Sequence, residues 1–252
     1  MLKKRIIPIQ LIYENRLVKS KQFKNFRNVG DPIQSASVYN SQSADELIIL
    51  NIDRKKKGVN IFEKYLKLIS EVCFVPLSIG GGINNFEDVE FLFRNGADKI
   101  IINSLGYKRI DIIKKIVNTY GSQALIIAID VFKKNDHYHL YSDCGKKLEK
   151  ISLKDYVKVC KDIQVGEFFI QSINNDGMMD GFDIDLIKFI QSITDIPIIA
   201  AGGSGNYNHL KDLFLSTNVN AIACGSLFNF TDSNPLRAKA YLQNYNIPFK
   251  II

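Results

Sequence analysis

Cysteine is scarce in this chain and never clustered. Cys73, Cys144, Cys160 and Cys224 are widely spaced, and no C-x-x-C pair occurs. Neither a zinc site nor a disulfide framework is indicated, and a reducing cytoplasm is the expected compartment. Long apolar runs are missing too: no stretch approaches the ~20 apolar residues of a membrane span. The apolar run within residues 1–7 is far too short for a signal peptide. No linker rich in proline, glycine or serine and no shift in composition marks a boundary, so one domain over 1–252 is expected. The net charge of +7 is scattered, as at Lys55-Lys56-Lys57, Lys133-Lys134 and Lys146-Lys147. It reads as a solvated basic surface, or functionally as an attraction for an anionic substrate. No basic run is interleaved with aromatic residues, so nucleic acid is not an expected partner, nor is a membrane. No metal and no cofactor is expected.

What the chain does have is apolar content, 46% over 252 residues. That suffices for a large core, and the length suits one (β/α) barrel of roughly 250 residues. The centre of the chain is the run Ala124-Leu125-Ile126-Ile127-Ala128-Ile129-Asp130. Six apolar residues without alternation read as a strand buried on both faces, ending on a carboxylate. Asp130 then either brings chemistry to the C-terminal end of a barrel strand or caps the next turn, the commoner fate of such an Asp. Seven similar runs fall at 5–11, 47–52, 75–79, 99–103, 167–172, 196–201 and 221–225. Between them lie helical periodicities, such as Ile61-Phe62-Tyr65-Leu66-Leu68-Ile69 and Ile112-Ile113-Ile116-Val117. Eight alternating units favour a closed (β/α)8 TIM barrel over an open sheet, because closure removes the exposed edges.

An internal repeat supports closure. Gly80-Gly81-Gly82-Ile83-Asn84, Leu92, Ala97, Ile100 and Ser104-Leu105 can be laid on Gly202-Gly203-Ser204-Gly205-Asn206, Phe214, Val219, Ile222 and Ser226-Leu227. The expected offset is a constant 122 residues, so the barrel reads as two fused half-barrels. Both glycine clusters follow a strand and precede a helix. Glycine lets a backbone approach an anion closely, and helix N-termini offer free N–H groups. With Asn103-Ser104 and Gly225-Ser226, the two halves would hold two phosphates on opposite sides of one mouth. Asp176-Gly177 is either a plain turn or a carboxylate and a close backbone at that mouth.

These pieces carry a resemblance. Lys4-Arg5-Ile6-Ile7, Arg16-Leu17-Val18-Lys19, Gly30-Asp31-Pro32, Gly80-Gly81-Gly82-Ile83, Gly96-Ala97-Asp98-Lys99, Gly121-Ser122-Gln123-Ala124, Ala128-Ile129-Asp130, Asp176-Gly177 and Ala201-Gly202-Gly203 together resemble the cyclase subunit of imidazole glycerol phosphate synthase, over nearly the whole chain. The resemblance implies a (β/α)8 barrel that forms a heterodimer with a glutaminase. Ammonia from the glutaminase crosses the barrel from its lower face and joins a bisphosphorylated ribonucleotide at the upper one. The products are imidazole glycerol phosphate and an aminoimidazole carboxamide ribotide.

The resemblance also assigns residues. Phosphate binding falls to Gly82, Asn103, Ser104, Asp176, Gly177, Gly203, Gly225 and Ser226. Four charges, Arg5, Glu46, Lys99 and Glu167, match the family's ammonia entrance, with Asp98 facing the glutaminase. Lys19 lies in a segment that is a mobile lid in the family. Two carboxylates act as general acid and base there, and Asp130 matches the second. The first position holds Leu11, which cannot transfer a proton and reads as a packing residue. Gln10 beside it would face the other side of the strand. Asn51 stands where the family often has another acid, and the hydroxyl-bearing positions near the mouth look altered at Gln171 and Met178. The reading that follows is a divergent paralogue that passes ammonia to another reaction, such as amidation of a surface-polysaccharide sugar by a third protein. The alternatives are an active cyclase of histidine biosynthesis and a non-catalytic scaffold that activates the glutaminase.

Overall fold

A strand buried on both faces sends alternate side chains into two different cores. In β1 (Arg5–Tyr13), Ile6 and Ile12 face outward to the helices, while Ile7 and Ile9 face inward. Gln10 faces outward, and its Nε2 donates to Pro32 O at 3.2 Å. Leu11 faces inward against the inner core. Both side chains therefore point as the sequence predicts.

The computed structural model describes residues 3–53 and 58–250; the lysine run at 55–57 lies outside them. β1 turns back through β2 (Arg16–Lys21) and β3 (Lys24–Gly30), an antiparallel hairpin. Helices and strands then alternate: α1 (Pro32–Ser41), β4 (Leu47–Asn51), α2 (Ile61–Ser70), β5 (Leu77–Gly80), α3 (Phe86–Arg94), β6 (Lys99–Ile102) and α4 (Ile110–Tyr120). The second half repeats the plan. β7 (Leu125–Lys134) turns back through β8 (His137–Ser142) and β9 (Lys147–Leu148). It continues with α5 (Leu153–Ile163), β10 (Glu167–Ser172), α6 (Ile184–Gln191), β11 (Ile198–Ala201), α7 (Tyr207–Ser216), β12 (Ala221–Cys224), α8 (Ser226–Phe230) and α9 (Pro235–Gln243). Parallel pairing runs β1–β4–β5–β6–β7–β10–β11–β12 and returns to β1, so the sheet closes into a (β/α)8 barrel. All eight expected strands are present. Among the described residues no helix is long and apolar enough to cross a membrane.

Two expectations need correction. The strand expected at 124–130 does not stop at Asp130: β7 runs on to Lys134, because Asp130 to Lys134 pair with β8. Nor is the repeat offset constant. β5 and β11 have matching bounds 121 residues apart, and so do the caps Asn85 and Asn206, which accept from Asp88 N and His209 N. The offset becomes 122 only at β6 and β12. One extra residue lies between, in the stretch that includes the end of α7. Gly81 therefore matches Gly202, and Gly82 matches Gly203. The backbone agrees, since all four have φ between +80° and +111°.

These glycines are where carbonyls of one loop meet the next. A Cβ on Gly81 would overlap Asn51 O, and one on Gly203 would overlap Gly181 O. Gly96 also has positive φ but open space around its missing Cβ. Gly96→Ala is expected to cost about 1–2 kcal/mol from backbone strain alone. Gly81→Ala adds a backbone clash and should cost on the order of 3 kcal/mol or more. Urea denaturation of the two variants side by side checks the difference.

Candidate functional site at the two ends of the barrel

The inward side chains form an apolar lumen. Ile7, Ile48, Ile126, Phe169 and Ile199 fill much of it, with the small Ala221 and Ala223 on the β12 side. Polar groups gather at its two ends.

At the end where the strands begin, four charges close a ring. Arg5 bonds Glu46 at 2.7 Å and also bonds Glu167. Lys99 bonds Glu46 at 3.0 Å and Glu167 at 2.8 Å. Each cation thus bridges both carboxylates, and Ser78 Oγ donates to Glu46 from behind. Burial raises the carboxyl of Glu167, but Arg5 and then Lys99 overcome it and hold the group below the usual carboxylate range. Glu46 and Glu167 occupy matching positions just before β4 and at the start of β10, so the two half-barrels contribute one carboxylate each. Asp98 is exposed beside the ring, and its Oδ2 accepts Leu77 N at 2.8 Å. That bond pins the start of β5.

At the other end lies a cavity of about 500 Å³. Asp130 and Leu11 line it together with the residues of both glycine cradles. Gly82, Asn103 and Ser104 come from one half; Gly203, Gly225 and Ser226 come from the other. Asp176, Gly177 and Lys19 complete the wall. The residues assigned to phosphate binding therefore lie there with Asp130, Leu11 and Lys19, and the four ring charges do not. Met178 is absent from the lining among the described residues, whereas Gln171 and Asn51 are part of it. Asn51 Oδ1 accepts Asp53 N at 2.9 Å, so this amide holds its own loop.

Leu11 and Asp130 are counterparts. Leu11 pairs with Leu50 of β4 and Val18 of β2; Asp130 pairs with Gln171 of β10 and Tyr141 of β8. The two positions face each other across the pseudo-twofold, one apolar and one acidic. Burial pushes the Asp130 carboxyl up to about 7, assisted by the negative charge of Asp176. A group poised there can take or give a proton near neutral pH.

The expected lid segment is the β2–β3 hairpin, folded down onto the mouth. Lys19 is turned inward, 4% exposed, and donates to Ile9 O. Burial lowers its ammonium to about 8. The Asp176 carboxylate faces this hairpin, accepting Ser20 Oγ at 2.9 Å. Ser20 and Phe23 were not legible as site residues. Two-residue turns with positive φ at every position join β1 to β2 (Glu14-Asn15), β2 to β3 (Gln22-Phe23) and β7 to β8 (Asn135-Asp136).

The first-half cradle differs from the second. Asn103 Nδ2 donates to Ala128 O at 3.0 Å, and Ser104 Oγ accepts Asp143 N at 3.0 Å from the β8–β9 turn. Lys108 and Lys147 also line the cavity. Cations thus stand in its wall beside Lys19, as an anionic ligand requires.

Fold and site define a (β/α)8 barrel with a closed ring of charges at one end and, at the other, a mouth lined by lysines and carboxylates, one of them poised near neutral pH. Comparison with known proteins narrows the class. The family model described as histidine biosynthesis protein matches residues 5–233. The imidazole glycerol phosphate synthase subunit HisF of Staphylococcus carnosus is 36% identical over 250 residues, 98% of each chain. The subunit so named from Chlorobium limicola is 35% identical over 252 residues, 100% of each. That of Staphylococcus epidermidis strain ATCC 35984 is 38% identical over 231 residues, 91% of this chain and 92% of its own. The chain belongs to the imidazole glycerol phosphate synthase cyclase-subunit family.

Two outcomes test this electrostatic picture. The folded chain holds the Asp130 proton to higher pH than the unfolded chain does, so this group makes stability fall as pH rises from about 4 to about 7. Asp130→Asn should match the wild type at pH 4 and exceed it at pH 8, as denaturant melts at both pH values would read. At the ring, Glu46→Leu leaves Arg5 and Lys99 sharing one carboxylate. It should cost about 3 kcal/mol or more, as breaking a buried ion pair does, measured by urea denaturation.

Proposed function

We propose that this chain is the cyclase-side subunit of an imidazole glycerol phosphate synthase-type complex, acting in the cytoplasm as a single barrel domain. A glutaminase docks on the lower face, at Asp98 and the charge ring. Ammonia passes Arg5, Glu46, Lys99 and Glu167, rises through the apolar lumen and meets a phosphorylated ligand held between the two cradles. The observation that carries this reading is the pairing of ends: a sealed ring of four charges below and a two-cradle cavity above, joined by an interior with apolar walls. An apolar lumen suits neutral ammonia and excludes ammonium, whose desolvation there is costly. The names of the relatives support imidazole glycerol phosphate synthesis as the reaction. Asp130 is the proton-transfer group in this reading.

One observation favours a second reading. Leu11 stands where Asp130 has its counterpart, so general acid–base catalysis from two sides is not available. In that reading the barrel delivers ammonia onward, to an acceptor such as a polysaccharide sugar amidated by a third protein. The names of the relatives do not speak for that acceptor; Leu11 alone argues for a changed chemistry.

Cyclisation of the family's ribonucleotide substrate with ammonium salt, and no glutaminase, separates the readings. Wild type and Leu11→Asp are run side by side. A restored second carboxyl is expected to raise turnover at least ~100-fold, the scale of a general acid or base. Wild-type turnover within a few-fold of the variant would make this an ordinary cyclase and remove the second reading. If neither protein turns over, cyclisation itself is lost, and the cyclase reading falls.

A further inference from the structure

One side chain fastens the β2–β3 hairpin to the mouth. Asp176 lies in the loop after β10. One of its carboxylate oxygens accepts Ser20 Oγ at 2.9 Å and Phe23 N at 3.4 Å. The other accepts Gln171 Nε2 at 2.9 Å. Its backbone carbonyl accepts Gln22 N at 2.8 Å. The fit is close enough that a Cβ on Gly177 would overlap Ser20 O. The residue next to Ser20 is Lys19, and a Cβ on Gly225 would overlap its Nζ. That places the ammonium in the second-half cradle.

We propose that Ser20 and Gln171 are positioning residues: they make the Asp176 carboxylate a latch for the hairpin, and the latch holds the Lys19 ammonium beside Gly225 and Ser226. Three lines of chemistry lead there. A carboxylate repels a phosphate, and this one already takes three donors, so it serves an anionic ligand best through the cation it keeps in place. Lys19 gives its hydrogen bond to a backbone carbonyl, and a cation buried on such terms tends to return to water unless its strand is tied down. Gln171 is long enough to cross from β10 to Asp176, which fixes the carboxylate plane before the hairpin arrives. The role of Lys19 toward a ligand rests on the reading of the mouth as an anion site; the latch does not.

The test uses the intact chain and limited trypsin digestion, with cleavage positions read by mass spectrometry. Arg16, Lys19, Lys21, Lys24 and Arg27 make the hairpin its own reporter. Ser20→Ala and Gln171→Leu should be cut in the hairpin about tenfold faster than wild type, relative to cuts elsewhere, because cleavage follows the open population. Ser20→Thr, which keeps the hydroxyl, should restore protection. Inorganic phosphate should protect the wild-type hairpin and require several-fold higher concentration in Ser20→Ala. Hairpin cleavage of Ser20→Ala at the wild-type rate overturns the latch. Equal protection by phosphate in both proteins overturns the positioning of Lys19. If phosphate fails to protect even the wild type, the anion-binding mouth fails instead, and the cleavage rates without phosphate still decide the latch. Should Ser20→Ala be cut throughout the chain, Gln171→Leu, which leaves the hairpin residues intact, gives the deciding rate.

Discussion

Closure of the sheet is the constraint on which everything else depends. Once β10 pairs with β7 and β12 with β1, every inward side chain shares one lumen. A lumen that small has no water to spare for polar groups, so its middle is isoleucine, phenylalanine and alanine. Charge is confined to the rims. Because the strands are parallel, one rim collects all the strand starts and the other all the strand ends. The two polar rims are therefore separated by the length of a strand, with an apolar core between them.

The rims meet the cost of burial in different ways. At the lower rim it is shared within a closed circuit: two cations and two carboxylates each bond both opposite partners, with Ser78 behind Glu46. A ring of this kind is neutral as a whole, and each charge in it faces two of the opposite sign. At the mouth the charges are not neutralised in pairs. Asp130 is pushed up by burial, and Lys19 is pushed down. Groups held between their charged and neutral forms are what proton transfer and anion capture use. The lower rim is built to be static in charge, and the upper rim to respond.

The half-barrel repeat explains the form of the mouth and also its asymmetry. Each half supplies a glycine cradle, a helix start and a hairpin after its first strand. The halves then diverge at the mouth: Leu11 against Asp130, and Asn103 against Gly225. Their hairpins have different tasks as well. The first folds over the mouth and carries Lys19 into it. The second sends the Asp143 backbone N–H to Ser104. Two equal halves have become a cavity with one acidic side and one apolar side.

The period and composition of the sequence determined the barrel, because strands buried on both faces must be apolar throughout and so are legible without their partners. It determined the mouth residues too, since the glycine clusters and Asp130 sit at strand ends and the strands are parallel. Alternation put Leu11 and Gln10 on opposite faces of the strand, and the resemblance put Leu11 at the mouth. Tertiary structure decided the rest. The 121-residue register of the repeat became visible only when Gly81 and Gly202 were seen at matching carbonyl contacts, because an extra residue in an exposed stretch leaves no mark on hydrophobic pattern. The hairpins needed positive-φ turns at Glu14-Asn15, Gln22-Phe23 and Asn135-Asp136, and Glu14, Gln22 and Phe23 have side chains that do not favour that backbone. Above all, that Ser20, Gln171 and Asp176 meet is a fact of closure. They are separated by up to 156 residues in sequence, and no local pattern encodes a contact that exists only once the ends of β2 and β10 share one rim.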